Sequence, residues 1–179
     1  MMLKQKVNDI DDCFKEIAIK STVIKDYLTE HSIESWNYLN GWYACPINKE
    51  DYLKEECLRI INDRFPIKYA AILRTNSNRC YQWHVDDDRG VAINMLLSNQ
   101  KHSKCYFGRL SDESLDQYEI FECPYKEETF YLFNTQAPHT VINLDNYRYV
   151  FTLEFEATAD KLSYNELKAW CENNNLVLN

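Results

Sequence analysis

The chain is poor in glycine and proline, with three and four residues in 179. That scarcity excludes a collagen-like, fibrous or low-complexity polymer. It also lacks any run of about 18 apolar residues, so no membrane span is expected. Its first residues, MMLKQKVNDIDD, hold no apolar stretch of the kind a secretory leader needs. Seven cysteines are an odd number and no two form a C-x-x-C pair. A disulfide framework is therefore not expected, and a reducing, cytoplasmic setting is. Basic charge is not in excess either: 20 Lys and Arg against 28 Asp and Glu leave a net charge of −8. That sign repels a phosphate backbone at long range and argues against nucleic acid as a partner.

What remains is a globular composition, 45% hydrophobic and 27% charged. Its length suits one domain, residues 1–179, around one sizeable core. Aromatic residues make up 14%, with thirteen Tyr, which suits pleated surfaces and hence a β-rich fold.

Along the chain the hydrophobic period changes. In residues 10–30, Ile10, Phe14, Ile17, Ala18 and Val23 approximate a helical spacing. Residues 36–46 read as aromatic and irregular. Asn48 reads as an N-cap with Asp51 as its box-like partner, and Leu53, Cys57, Ile60, Ile61 and Phe65 form a helical stripe that Pro66 ends. Residues 1–66 are thus expected to be a helical N-terminal segment. Beyond Pro66 the period is two. Strands are predicted at 67–74, 80–86, 91–97, 104–110, 118–124, 129–134, 139–144 and 147–155, with turn residues between them. Such spacing implies a sandwich, jelly roll or barrel. Ser163 and Glu166 form a capping box that opens a closing helix at 163–175.

Within this frame three residues point to a metal. His84 and Asp86 stand two apart in a strand-like segment, so their side chains project from one face. His139 follows Pro138 at the start of another predicted strand. Two His and one carboxylate on separate strands make a facial triad with open positions, which suits non-haem Fe(II). Asp87 and Asp88 are rival carboxylates: Asp87 has the wrong parity, and Asp88 lies further off at the start of a turn. Arg148 opens the last predicted strand. There Tyr149, Phe151, Leu153 and Phe155 form one apolar row, and Arg148, Val150, Thr152 and Glu154 the other. A barrel with a polar cavity turns the apolar row outward against helices and the Arg row inward, where a guanidinium can grip a carboxylate through two parallel hydrogen bonds.

The order HVD (84–86), PHTVINL (138–144) and YRYVFTLEF (147–155) resembles the Fe(II)- and 2-oxoglutarate-dependent oxygenases, in particular small phage and bacterial hydroxylase-like members related to prolyl and aspartyl/asparaginyl hydroxylases. The stretch HVDDDRGVAINMLLSN (84–99) is similar to their first ligand strand and the next one. The resemblance covers residues 67–156. It implies a double-stranded β-helix, that is, a jelly-roll, cupin-like core with flanking helices. It implies Fe(II) on His84, Asp86 and His139, with 2-oxoglutarate as co-substrate and its distal carboxylate on Arg148. Asn94 and Tyr81 are then candidates for further contacts to that carboxylate. Many members carry Ser or Thr two residues after the Arg. Val150 stands there in this chain, so Arg148 needs another helper.

The implied reaction is hydroxylation, with O₂, of a C–H bond in a protein side chain or an amino-acid-like small molecule. Trp36, Trp42, Tyr43 and Trp83 are candidate lining residues, equally readable as core. Arg74 and Arg79 are candidates for an acidic group, or solvated charges. Two other readings stay open: a cupin-like metal-binding module without turnover, and a Zn(II) hydrolase on the same ligands. The second needs a general base near the metal-bound water, and the sequence offers no obvious one.

Overall fold

The computed structural model describes residues 7–21, 23–30, 36–39, 41–98, 101–110 and 118–177. A 3₁₀ turn (Ile10–Asp12) leads into strand β1 (Phe14–Lys20), then a second 3₁₀ turn (Ile24–Asp26) and helix α1 (Tyr27–Glu30). Strands β2 (Asn37–Leu39) and β3 (Trp42–Pro46) follow, then helices α2 (Lys49–Tyr52) and α3 (Glu56–Arg64). The β-rich part holds β4 (Ile67–Thr75), β5 (Arg79–Cys80), β6 (Ala92–Leu96), β7 (Ser103–Leu110), β8 (Tyr118–Cys123), β9 (Thr129–Phe133), β10 (His139–Asn143) and β11 (Arg148–Phe155), and α4 (Tyr164–Asn173) closes the chain.

The strands form two antiparallel sheets. The larger runs β1-β9-β6-β11-β4-β3-β2 and the smaller β5-β10-β7-β8. Two apolar clusters follow from strand alternation. On β9, Tyr131 and Phe133 join Phe14, Phe107, Cys105 and Cys123 between the sheets. Phe130 and Leu132 point the other way, with Ile93, Met95, Phe151 and Leu153, onto Leu58, Ile61, Leu167 and Cys171 of the helices. The large sheet is thus covered on both faces, and all five residues of β9 are buried. Full burial of each such side chain contributes about 1.5–3 kcal/mol. The apolar row of β11 faces the helices, as its pattern predicts.

The N-terminal third departs from the helical expectation. Phe14–Lys20 is an edge strand of the large sheet, with Phe14 opposite Phe133 and Glu16 opposite Tyr131. Ile10, Phe14 and Ile17 fit a helical spacing, but Phe14 and Ile17 serve opposite faces of a strand, the first between the sheets and the second toward the helices. The β-branched Ile17 and Ile19 suit that choice, and pairing with β9 decides it. Residues 36–46, read as irregular, contain the hairpin β2–β3, with Gly41 at φ 88° in its turn. The single helix expected from Asn48 to Phe65 is two. Asn48 is the N-cap of α2 but makes no side-chain cap bond. The break falls at Glu55, whose buried carboxylate accepts from Ser21 Oγ (2.6 Å), Val23 N (2.7 Å) and Ile24 N (2.9 Å). Those three bonds draw Glu55 out of the helical stripe, and Ile60 is left exposed.

The strands predicted after Pro66 are present, with one exception. Residues 80–86 are not a continuous strand: only Arg79 and Cys80 pair as β5, and His84 forms an isolated bridge with His139. Cys80 opposes Ile142, so regular pairing would set Trp83 against His139. His84 stands there instead, so the segment holds one extra residue, a bulge that re-aims the side chains after it. At the C-terminal helix, Ser163 Oγ accepts from Glu166 N at 3.2 Å as expected. All seven cysteines are free thiols. Among the described residues no helix is long and apolar enough to cross a membrane.

The loop after the bulge is anchored at Gly90. Ala159 N donates to Asp88 O at 3.0 Å, and a Cβ on Gly90 would lie 2.2 Å from the Leu162 carbonyl oxygen. Backbone cannot yield as a side chain can. We expect Gly90→Ala to destabilise the fold by about 3 kcal/mol in urea titration. An unchanged midpoint would mean that the loop docks differently.

Candidate metal centre

The structure brings His84, Asp86 and His139 together, their ligand atoms all within 4.8 Å of one another. Backbone contacts set this up. His84 N donates to His139 O (3.1 Å) and His139 N to His84 O (2.9 Å), which seats the two imidazoles side by side with ring centroids 4.2 Å apart. Asp86 N donates to Thr135 O at 2.9 Å, which fixes the carboxylate at the start of the following loop.

Each imidazole is held in the tautomer a metal needs. His84 Nδ1 lies 2.8 Å from Gln82 O, and His139 Nδ1 lies 2.9 Å from Ala137 O. A carbonyl oxygen only accepts, so both Nδ1 atoms carry hydrogen and both Nε2 lone pairs are free. Asp86 Oδ1 sits 3.6 Å from His84 Nε2 and 4.0 Å from His139 Nε2. Burial, and then the neighbouring His84, pushes the His139 imidazole below its ordinary pKa, which keeps that lone pair unprotonated at neutral pH. Neighbouring donors around an octahedral ion with bonds of ~2.1 Å stand about 3 Å apart. The three groups therefore fit one ion after a small closure of side chains. Their two-nitrogen, one-carboxylate character suits Fe(II) with open positions.

Two residues that the sequence reading passed over complete the frame. Arg89 grips the other oxygen of Asp86, with Nε 2.9 Å and Nη2 2.6 Å from Oδ2. Oδ1 is thereby turned to the histidines. The three-residue spacing from Asp86 to Arg89 was the available signal. Gln136 Nε2 donates to Asp86 O and Arg89 O, both at 2.7 Å, and ties the loop to the segment before His139. Asp87 and Asp88 are exposed and outside the triad.

Arg148 faces the space between the sheets and is 3% exposed. Its guanidinium lies over the Tyr125 ring, 5.6 Å from the centroid. Its other titratable neighbours, Cys105 and Cys123, are thiols that burial pushes up, Cys105 to about 12. Burial likewise raises the Tyr125 phenol well above its usual value. Among the described residues no carboxylate pairs with Arg148. Tyr125 follows Pro124 in a loop and carries no pattern that would have marked it. Tyr81, the sequence candidate for that role, packs against His84 (centroids 4.7 Å apart) and Trp42 (5.3 Å). Asn94 pairs in register with Thr152 and Tyr131, and its Oδ1 is buried with no hydrogen-bond partner among the described residues.

Of the candidate lining residues, Trp42 and Trp83 line a cavity of about 750 Å³ that includes His84 and Asp86. Trp36 and Tyr43 lie outside that lining: Trp36 packs on Tyr149 and Tyr43 on Tyr38. Arg74 is enclosed by the rings of Trp36, Tyr43 and Tyr147, at 5.4, 4.3 and 4.8 Å, and so is not presented to an acidic ligand. Arg79 is an exposed residue of β5.

We expect Asp86→Ala to abolish Fe(II) binding with the far-UV spectrum unchanged. Arg89→Ala should weaken iron by about 10- to 100-fold, because it frees the carboxylate to rotate. Equal iron affinity in Asp86→Ala and the parent would move the carboxylate ligand elsewhere.

The sequence matches no protein-family model and no curated protein. Among solved structures, the fold is similar to a Pseudomonas putida prolyl-4-hydroxylase, with TM-score 0.59 and 17% identity over 87% of this chain and 99% of that one. It is also similar to the viral collagen prolyl hydroxylase of Paramecium Bursaria Chlorella virus-1, solved as a 2OG complex, with TM-score 0.57 and 10% identity over 80% and 95% of the two chains. HygX from Streptomyces hygroscopicus, solved with nickel, 2-oxoglutarate and hygromycin B, gives TM-score 0.55 and 12% identity over 82% and 84%. These likenesses establish the fold as the double-stranded β-helix.

Proposed function

We propose that the chain is an Fe(II)- and 2-oxoglutarate-dependent oxygenase that hydroxylates a C–H bond of a protein side chain or an amino-acid-like small molecule. The observation that carries this reading is Arg148. It is a buried cation, its titratable neighbours are neutral, and among the described residues it has no carboxylate partner. Leaving such a charge unpaired costs several kcal/mol, and a dicarboxylic co-substrate removes that cost. Together with a candidate facial triad with open positions, this is the donor set that a 2-oxo acid with a second carboxylate requires. The structural neighbours solved with 2-oxoglutarate support the same reading.

In this scheme His84, Asp86 and His139 hold the iron. When bound, iron and 2-oxoglutarate supply the oxidising chemistry: one oxygen atom of O₂ enters the substrate C–H bond, the other enters succinate, and CO₂ leaves. The chain's own share is position. Arg148 would grip the distal carboxylate through two parallel hydrogen bonds, and the Tyr125 ring, 5.6 Å from the guanidinium carbon, would pack against its plane. Tyr125 is thus the helper that the absence of Ser or Thr at Val150 calls for. Asn94 offers an amide to the same pocket. Phe107, buried with its ring centroid 5.7 Å from that of His139, covers that imidazole on the apolar side. Arg89 holds Asp86 so that ligand exchange does not rotate it.

Anaerobic addition of 2-oxoglutarate to the Fe(II)-loaded protein should give a weak visible charge-transfer band, and admission of O₂ should release succinate. Arg148→Ala should keep iron but weaken 2-oxoglutarate at least about thirtyfold. Absence of both band and succinate in the parent protein would sink the oxygenase reading. A metal-binding module without turnover gives no succinate, and a Zn(II) hydrolase gives no band.

A further inference from the structure

The cavity beside the candidate metal centre has a net negative lining. Asp87, Asp88 and Glu154 line it, together with the aromatic walls Trp42, Tyr69 and Trp83. The one guanidinium in the lining, Arg89, is already committed to Asp86. Lys68 reaches Glu154 at 2.7 Å, but 60% of its side chain is exposed, so that pair is weak and easily exchanged. The Lys68 pKa is pushed up by Glu154 first and also by Asp88, and both carboxylates line the cavity. Among the described residues, the Asp87 and Asp88 side chains have no ion-pair partner.

A second observation is independent of these acids. Thr152 lines the cavity, is only 7% exposed, and its hydroxyl has no hydrogen-bond partner among the described residues. It sits two residues before Glu154 on the inward row of β11. That row reads Arg148, Val150, Thr152, Glu154: a cation at one end, a carboxylate about 20 Å away at the other. His84 and Asp86 line the same cavity as Thr152 and Glu154, whereas Arg148 lies outside its lining. The strand thus separates an anion-binding end from a cation-attracting end.

We propose that this cavity selects a substrate bearing an organic cation, an alkylammonium or guanidinium of the lysine or arginine kind. Glu154, Asp87 and Asp88 are its specificity-determining carboxylates. An aromatic-walled cleft with excess negative charge focuses cations. Its rings hold the apolar stem and add cation–π attraction to the head. The Thr152 hydroxyl accepts an N–H from that head, and the carboxylates take the remaining donors as charge-assisted bonds. A neutral or anionic substrate gains none of this. The proposal rests on the oxygenase reading for the reaction, and on the cavity alone for binding.

The test is calorimetry on the protein loaded anaerobically with Fe(II) and N-oxalylglycine. The probes are L-lysine, L-arginine and short peptides with one Lys or Arg, each against an uncharged counterpart (N6-acetyl-lysine, citrulline, norleucine). The cations should bind at least about tenfold more tightly than their counterparts. That margin should shrink with salt and collapse in Glu154→Gln and in Asp87→Asn/Asp88→Asn. Those variants should keep the visible band of the iron–2-oxoglutarate complex, which separates a lost substrate site from a lost fold. Tighter binding of the peptides than of the free amino acids identifies a protein side chain as the source of the cation, and the reverse a free amino acid. Equal binding of charged and uncharged members overturns the proposal, as does a preference that survives in the variants or no binding by any probe. Failure of the oxygenase reading looks different: cations bind with the stated preference, yet neither band nor succinate forms in the parent protein.

Discussion

Two backbone hydrogen bonds between His84 and His139 are the constraint on which the site depends. They join a loop that has left its ladder to the first residue of β10, and they act at the point where the register has slipped by one residue. Without that slip Trp83 would face His139, and the first imidazole would point away. The side-chain bonds of the centre elaborate what this bridge sets. Carbonyl acceptors on each Nδ1 fix the tautomers, and Arg89 and Gln136 hold Asp86 and its loop. A donor triad assembled from backbone geometry is pre-organised, which would lower the ordering entropy lost on binding an ion.

The same economy governs the interior. The large sheet has apolar partners on both faces, so the helices carry one core and the space between the sheets another. Burial of the helix-facing row of β11 leaves its second row available for polar work. A guanidinium that is 3% exposed is costly there while it is unpaired, since its neighbours are a phenol and two thiols that burial keeps protonated. Six of the seven cysteines are buried and serve as small packing groups, five of them with thiols that burial raises, while Cys80 is exposed.

Charge is sorted along one strand rather than spread. A chain of net charge −8 places a lone cation at one end of the inward row and a carboxylate at the other. Neutralised pairs such as Asp86 with Arg89 lie between the two poles in function: they position a ligand and leave no net charge for a substrate to read. Of the acids that face the cavity mouth, Glu154 pairs only with the exposed Lys68 and, among the described residues, Asp87 and Asp88 have no ion pair, and selectivity among substrates is expected from these, not from the ligand set.

Much was legible in the residues themselves. Alternation in 147–155 told which row of β11 faces the helices, because a sheet covered on one side by helices must bury that row. The strands after Pro66 followed from period two and turn chemistry. The triad was legible as residue types at a strand-like spacing, although the strand carrying His84 and Asp86 is a bridge and a loop. Other features had no local trace. Phe14–Lys20 became a strand, despite a helix-like spacing, because β9 offers hydrogen bonds that no single segment can know of. Glu55 broke a helical stripe because donors 31 to 34 residues away needed its carboxylate. Tyr125 reached Arg148 through the fold, not through any motif. The sequence by itself determined which donor groups the chain carries and the alternation that builds its sheets, because residue type and period are local properties. Only the tertiary structure decided the bulge, the partner of Arg148 and the sign of the cavity, because each depends on which distant segments meet.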